Sequence, residues 1–134
     1  MVQQEQIERF LASDAFGVVG ASSNRHKFGN KVLRCYQQHE RRAFPVNPNE
    51  NQIEGISCVA GIDGLPPEVK SISMITPPAV TAQLVPLAIE HGIENIWMQP
   101  GAESAEAVAL CQQHNINVIA DGSCILVVLG YQDH

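Results

Sequence analysis

Short apolar runs recur along the chain, separated by longer segments in which apolar residues return every three or four positions. This pattern predicts a parallel sheet with helical crossovers, whose strands are buried on both faces and therefore read as nearly continuous hydrophobe. The strand candidates are Ala15 to Val19, Arg42 to Val46, Ser71 to Ile75, Asn95 to Met98 and Asn117 to Ala120. Ile125 to Leu129 is expected as a last strand or a tail of the core. Between the runs, Phe28, Val32, Cys35 and Tyr36 share one helical face, as do Val80, Leu84, Leu87 and Ala88. Ala107, Leu110, Cys111 and His114 repeat the spacing more weakly, and Gln3 to Ala12 predicts a further amphipathic helix with Ile7, Phe10 and Leu11 turned inward.

Local signals refine this outline. Thr76 before Pro77 and Pro78 predicts a helix start, because Thr can cap and proline suits the first turn. Pro86 inside that helix removes a hydrogen bond at a cost of about 3 kcal/mol and predicts a kink. The segment 49–67 is polar and punctuated by Gly and Pro, and is expected to be a long connection with at most one helical turn. Right-handed crossovers bring every helix N-terminus to the strand C-terminal edge, where open α/β sheets bind ligands. The search for function therefore narrows to the loops along that edge.

Composition changes the picture in three ways. With 134 residues, 45% of them apolar and 16% charged, the chain carries material for one core, and residues 1–134 are expected to form a single domain. The net charge of −6 disfavours a general nucleic-acid binder, which needs a basic surplus against phosphates. No stretch of about 18 apolar residues occurs, and the first residues lack a basic start followed by an apolar run, so no membrane association and a cytoplasmic location are expected. Cys35, Cys58, Cys111 and Cys124 form no CxxC pair and have no close Cys/His spacing. Reduced thiols are expected rather than a metal cluster or a disulfide scaffold.

The richest loop follows the first run: Gly17-Val18-Val19-Gly20-Ala21-Ser22-Ser23-Asn24, with a helix starting near Lys27 or Phe28. Small residues let a backbone approach a phosphate, and the free N–H groups of a helix start supply donors and about half a positive charge. The GxGxxG dinucleotide fingerprint is absent, since Val19 stands where its middle glycine belongs. The second run ends in Phe44-Pro45-Val46-Asn47-Pro48-Asn49, without the carboxylate that would hold a ribose 2′-hydroxyl. No GxxxxGK[ST] string exists either. Of the 8 Lys and Arg residues, Arg25, Lys27, Lys31, Arg34, Arg41 and Arg42 cluster within 25–42, with only Glu40 opposing them in that stretch. Arg25 and Lys27, and after them Lys31, are the candidates for contact with an anion. Arg34 lies roughly 9 Å along the helix from Phe28, and it, Arg41 and Arg42 are expected on a solvated surface.

Four strings taken together are more specific than the loop alone. Val18-Val19-Gly20-Ala21-Ser22-Ser23 with Gly29-Asn30-Lys31-Val32, then Pro45-Val46-Asn47-Pro48, then Trp97-Met98-Gln99-Pro100-Gly101, then Asp121-Gly122-Ser123-Cys124-Ile125 resemble the small stand-alone CoA-binding proteins. That family is similar to the CoA-binding domain at the start of the succinyl-CoA synthetase α subunit. The resemblance implies a Rossmann-like, doubly wound α/β sheet of about five strands in the order 3-2-1-4-5, with CoA or an acyl-CoA across its C-terminal edge. It further implies that Gly20, Ala21, Ser22 and Ser23 hold the pyrophosphate, with Asn24 and Gly29 completing the loop and helix start and Arg25 and Lys27 supplying charge. Val46, Asn47 and Pro48 would border the adenosine, as would Thr76, Pro77 and Pro78, and Gln99 would face the pantetheine path. The chain departs from the family's pattern at Asn49, where Lys or Arg is usual, and at Phe28, where proline is common.

The synthetases perform their chemistry with a histidine on a second domain, for which 134 residues leave no room. No catalytic residue and no metal are therefore expected. His26 lies in the right loop but lacks the partner that a triad needs. Cys124 sits at the ligand edge beside Ile125 and is expected to pack as a small hydrophobe. Cys35 and Cys111 are expected to pack on helical core faces, and Trp97, in its strand, is expected to pack in the core or at the edge. The expected function is non-catalytic binding of a nucleotide, CoA or acyl-CoA, as a carrier, sensor or partner subunit of another protein. Two alternatives stay open: a nucleotide-dependent enzyme in which Arg25 and Lys27 meet the 2′-phosphate of NADP, and a protein-interaction module that has lost its ligand.

Overall fold

All five apolar runs become strands, and the computed structural model describes residues 3–133. In chain order the elements are α1 (Gln3–Leu11), β1 (Ala15–Val19), α2 (Phe28–Gln38), β2 (Arg42–Val46), β3 (Gln52–Ile53) and β4 (Ile56–Ser57). A 3-10 turn (Ile62–Gly64) follows, then β5 (Ser71–Met74), α3 (Pro78–Glu90), β6 (Asn95–Met98), α4 (Ala105–Gln113), β7 (Asn117–Ile119) and α5 (Ile125–Leu129). β1, β2, β5, β6 and β7 form one parallel sheet, and β3 and β4 form a small antiparallel hairpin. Alternation along the strands divides the core in two. Ala15, Val19, Ile72, Met74, Ile96 and Met98 face α3 and α4, whereas Phe16, Val18, Trp97 and Ile119 face α1, α2 and α5. Each large side chain so buried stabilises the fold by about 1.5–3 kcal/mol. Ser73, on the second face, is buried against the Tyr36 hydroxyl at 2.6 Å, and burial pushes that phenol's pKa up.

The strand order corrects the expectation. The sheet runs β2-β1-β5-β6-β7, which in the sequence numbering of the five runs is 2-1-3-4-5 rather than 3-2-1-4-5. Pro45 supplies the physical reason. Val46 turns its backbone toward β1, accepting from Gly20 N, so Pro45 and Asn47 turn theirs outward. Proline has no N–H to offer there, which confines β2 to an edge. The outer side of β2 is covered by the single residue Val59, which donates to Pro45 O and accepts from Asn47 N. The chain then crosses back under β1 through Ile62, Leu65 and Val69, all buried, and β5 pairs directly with β1. Connections leave β1 and β5 in opposite directions, so the ligand-binding switch point lies between their C-terminal ends.

Smaller differences have local causes. Ile125–Leu129 is a helical turn closed by Gly130 at φ 85, since periodicity cannot separate a short strand from a buried helix over five residues. Phe28 and Leu87 are exposed, outside the faces assigned to them. α3 continues unbroken through Pro86, which stands on its exposed side, and its N-cap is Pro77 because Thr76 turns its hydroxyl to Thr81 at 2.6 Å. Segment 49–67 holds the β3–β4 hairpin as well as the 3-10 turn, its bend made by Glu54 and Gly55 at φ 49 and 81.

Candidate functional site

The loop between β1 and α2 is pressed against its surroundings at two glycines. Gly20 has φ 93, and a Cβ there would overlap the carbonyl oxygen of Ile75 at the end of β5. A Cβ on Gly29, in the first turn of α2, would overlap the carbonyl oxygen of Gly20 and approach Ala21 Cα to 3.2 Å. Only glycine lets strand, loop and helix meet this closely. α2 then begins at Lys27 with no side-chain cap, leaving first-turn amides without intrahelical acceptors.

Two asparagines fix how the loop peptides face. Asn47 Nδ2, at the end of β2, donates to Ala21 O at 2.9 Å. Asn30 Nδ2, fully buried in α2, donates to Ser22 O at 2.8 Å. In a trans peptide the next N–H points opposite to the carbonyl, so the amides of Ser22 and Ser23 are each aimed away from the asparagine behind them. The Ser23 amide already meets an anion, donating to Glu50 Oε2 at 2.9 Å. The Ser22 amide meets no acceptor among the described residues. The turn is completed by Asn24, whose amide donates to Ser22 Oγ and whose Oδ1 accepts from His26 N, at 3.1 and 3.0 Å. The result is a pair of oriented amides beside an uncapped helix start, an arrangement suited to phosphate oxygens.

The basic corner is organised differently from the sequence expectation. Arg34 is 5% exposed rather than solvated. Its guanidinium donates to Asn30 Oδ1 at 2.6 Å and to Arg25 O at 2.8 Å, pairs with Asp133 at 3.3 Å, and stacks on Tyr131 with 5.4 Å to the ring centroid. Arg34 thus secures Asn30, which secures Ser22. Arg25 reaches Glu54 at 3.5 Å, and the same carboxylate accepts from Asn30 Nδ2 at 3.1 Å. Lys27 is exposed at the helix start, and Lys31 lies over the Phe28 ring. Arg41 donates to Leu11 O and Arg42 pairs with Glu68, both remote from the loop. Acids from distant segments, Glu54 and Asp133, therefore pair with Arg25 and Arg34.

Beside the loop opens a cavity of about 280 Å³. Val19, Val46, Ile62, Val80 and Leu84 make its apolar walls, and Gly20, Asn47 and Thr76 its rim. A second hollow of about 240 Å³ lies beyond Thr76 and Pro77, toward Gln99 and Pro100. The order β2-β1-β5 sets the Thr76 loop directly against Gly20 instead of two strands away. The structure thus gathers Gly20, Ala21, Ser22, Ser23, Asn24, Arg25, Lys27 and Gly29 at one turn, with Val46, Asn47, Pro48 and Thr76 around the adjoining cavity. Pro77 and Pro78 stand exposed at the start of α3. Gln99 lines the second hollow, yet its side chain is engaged at both ends: Oε1 accepts from Ile125 N at 2.8 Å and Nε2 meets Cys124 Sγ at 3.4 Å. A larger groove of about 530 Å³ at the far edge of the sheet, near Gln6, Arg9 and Gln112, has no glycine loop or helix start opening into it.

Sequence reasoning missed Asn30, Arg34, Glu50 and Glu54 as parts of this site. Asn30 and Arg34 carried a readable signal, since a polar pair four apart on α2 shares one side of the helix, next to the apolar Leu33. Glu50 and Glu54 gave none, because they reach the loop only through the folding of the segment that follows β2. Among the described residues, no helix is long and apolar enough to cross a membrane.

Comparison with known proteins agrees with this geometry. Residues 14–130 match the family model described as "CoA binding domain". The chain is 29% identical over 85 residues to acetate–CoA ligase [ADP-forming] I of Archaeoglobus fulgidus, covering 63% of this chain and 12% of that protein. It is 22% identical over 91 residues to acetate–CoA ligase [ADP-forming] II subunit alpha of Pyrococcus furiosus, covering 67% of this chain and 20% of that one. The chain therefore spans a fifth or less of the curated relatives it matches. Among solved structures, a conserved hypothetical protein of Pyrococcus furiosus superimposes with a TM-score of 0.81 at 35% identity, over 87% of this chain and 98% of that one. With glycine-pressed loop, oriented amides and family match in agreement, the chain belongs to the CoA binding domain family.

Proposed function

We propose that this chain binds CoA or an acyl-CoA and performs no bond-making chemistry itself. The observation that carries the reading is the pair of amides at Ser22 and Ser23, turned outward by Asn47 and Asn30 beside the uncapped start of α2. A diphosphate has the charge and the acceptor atoms to satisfy them. The neighbouring apolar cavity suits a flat purine, with Val46 and Thr76 at its edge. The hollow beyond Thr76 gives the pantetheine arm a course along the sheet edge past Gln99. Lys27, free at the surface, and Arg25, once released from Glu54, are the cations for the 3′-phosphate.

The relatives named as ligases carry their chemistry in proteins several times longer than this chain, and one of them is an alpha subunit. That supports a carrier, a sensor or a partner subunit that delivers the nucleotide to another protein. Calorimetric titration with CoA, dephospho-CoA, NAD and NADP tests the reading. Binding of CoA in preference to dephospho-CoA is expected, and preference for NADP, or silence with all four, overturns it.

A further inference from the structure

We propose that Glu50 is an internal occupant of the phosphate seat, which a ligand's diphosphate must displace, so that this residue sets the affinity and charge selectivity of the site. The inference rests on the reading of the β1–α2 loop as a diphosphate site and adds to it a built-in competitor.

Glu50 lies outside every strand, between β2 and β3, yet its carboxylate is held at a defined place. Oε2 accepts from Ser23 N at 2.9 Å and from Asn47 Nδ2 at 3.4 Å. No Lys or Arg among the described residues forms an ion pair with it. What holds this anion is therefore the loop's own donors, the groups that would receive phosphate oxygens. The Ser23 hydroxyl, and after it the Ser23 amide, hold the Glu50 carboxyl below its ordinary value of 4.5. The carboxylate is consequently ionised at neutral pH and present as a competitor. Its negative charge is also felt at Cys58, whose pKa is raised chiefly by burial and secondarily by Glu50.

The chemistry of displacement is selective. A carboxylate brings one charge and two oxygens, whereas a diphosphate brings more charge and more oxygens to Ser22, Ser23 and the start of α2. Simple monoanions therefore gain little by expelling Glu50, and a nucleotide diphosphate gains a seat. Glu50 thereby lowers the affinity of the loop for every anion while favouring the multivalent one.

The test compares wild type, Glu50→Ala and Asn51→Ala, the last an exposed neighbour whose side chain makes no hydrogen bond among the described residues, by calorimetry with CoA and with inorganic diphosphate. In parallel, the amide proton of Ser23 is followed by NMR through the acid titration of the free proteins. Glu50→Ala should bind both ligands about tenfold more tightly, as removal of one competing charge-assisted hydrogen bond implies, with Asn51→Ala unchanged. The Ser23 amide should shift with carboxylate protonation in wild type and cease to do so in Glu50→Ala. Equal or weaker binding by Glu50→Ala, while wild type binds CoA, overturns the competitor and leaves the site, with Glu50 then receiving a ligand hydroxyl. A Ser23 amide that does not titrate overturns it as well. Failure of both proteins to bind either ligand removes the diphosphate site itself, and the competitor with it.

Discussion

The carbonyl oxygen of Gly20 fills the space that a side chain on Gly29 would need, so the end of β1 and the start of α2 meet backbone to backbone. Adding one methyl group must push them apart. Gly29→Ala is expected to lose about 2–4 kcal/mol in denaturant unfolding, in the range of a core overpacked against immovable backbone. Gly122→Ala is the control for strain without crowding: unlike the helical Gly29 it has a φ of 90, but nothing lies within 4 Å of a built Cβ. It should lose only about 1–2 kcal/mol, the ordinary cost of a left-handed alanine.

Asn30 links the fold to the site. Asn30→Asp keeps an acceptor for Arg34 but can no longer donate to Ser22 O. CoA affinity should fall by about tenfold or more, while the unfolding midpoint moves far less. Asn30→Ala, by contrast, strands the buried Arg34 guanidinium and should cost about 2–3 kcal/mol of stability as well. Calorimetry and urea unfolding of the two variants separate positioning from packing.

Acid should weaken the fold through its hydrogen-bonded carboxyls, Glu50, Glu68, Asp121 and Asp133. Glu50 is held below its ordinary 4.5 chiefly by the Ser23 hydroxyl, Asp121 below 3.8 chiefly by Ser123, and Asp133 below 3.8 chiefly by the Tyr131 hydroxyl. Groups lowered in the folded state contribute fully above their unfolded values and lose that contribution as pH falls through the folded ones, because the unfolded chain then binds more protons. Urea midpoints should therefore be flat near neutrality and decline below about pH 4.5, and Asp133→Asn together with Glu50→Gln should flatten that decline.

The thiols should divide into two pairs. Cys35 and Cys111 are buried, and burial pushes both up to about 11. Cys58 and Cys124 are partly exposed. Iodoacetamide on the native protein should label Cys58 and Cys124 first, with Cys35 and Cys111 reacting only on unfolding, as read by peptide mass spectrometry. The buried pair also contributes stability that is complete below the ordinary thiol value of 9.0 and is lost as pH rises toward about 11.

Much of this was legible in the sequence for reasons that are local. Strands buried on both faces write themselves as apolar runs, and Gly20, Ser22, Ser23 and Gly29 announce a backbone that must come close to something. Pro45 also carried the strand order, since a proline facing outward makes β2 an edge, but its direction depends on a register that sequence alone does not fix. Arg34 reads as a surface residue until Asn30, Tyr131 and Asp133 surround it, and Asp133 lies 99 positions away. Glu54 stands in the two-residue turn that folds β3 onto β4, and Glu50 reaches the loop from the connection that follows Asn47. Tertiary placement of charge was the illegible part, since Coulombic partners need no pattern along the chain.

Assigned backbone amides followed by NMR as CoA is added test the central claim most directly. The account predicts that the amides of Ser22, Ser23, Phe28 and Gly29 move first and furthest, followed by residues 46–48 and 76 around the apolar cavity. Shifts confined to the groove between α1 and α4, or an unchanged spectrum at saturating CoA, would contradict it.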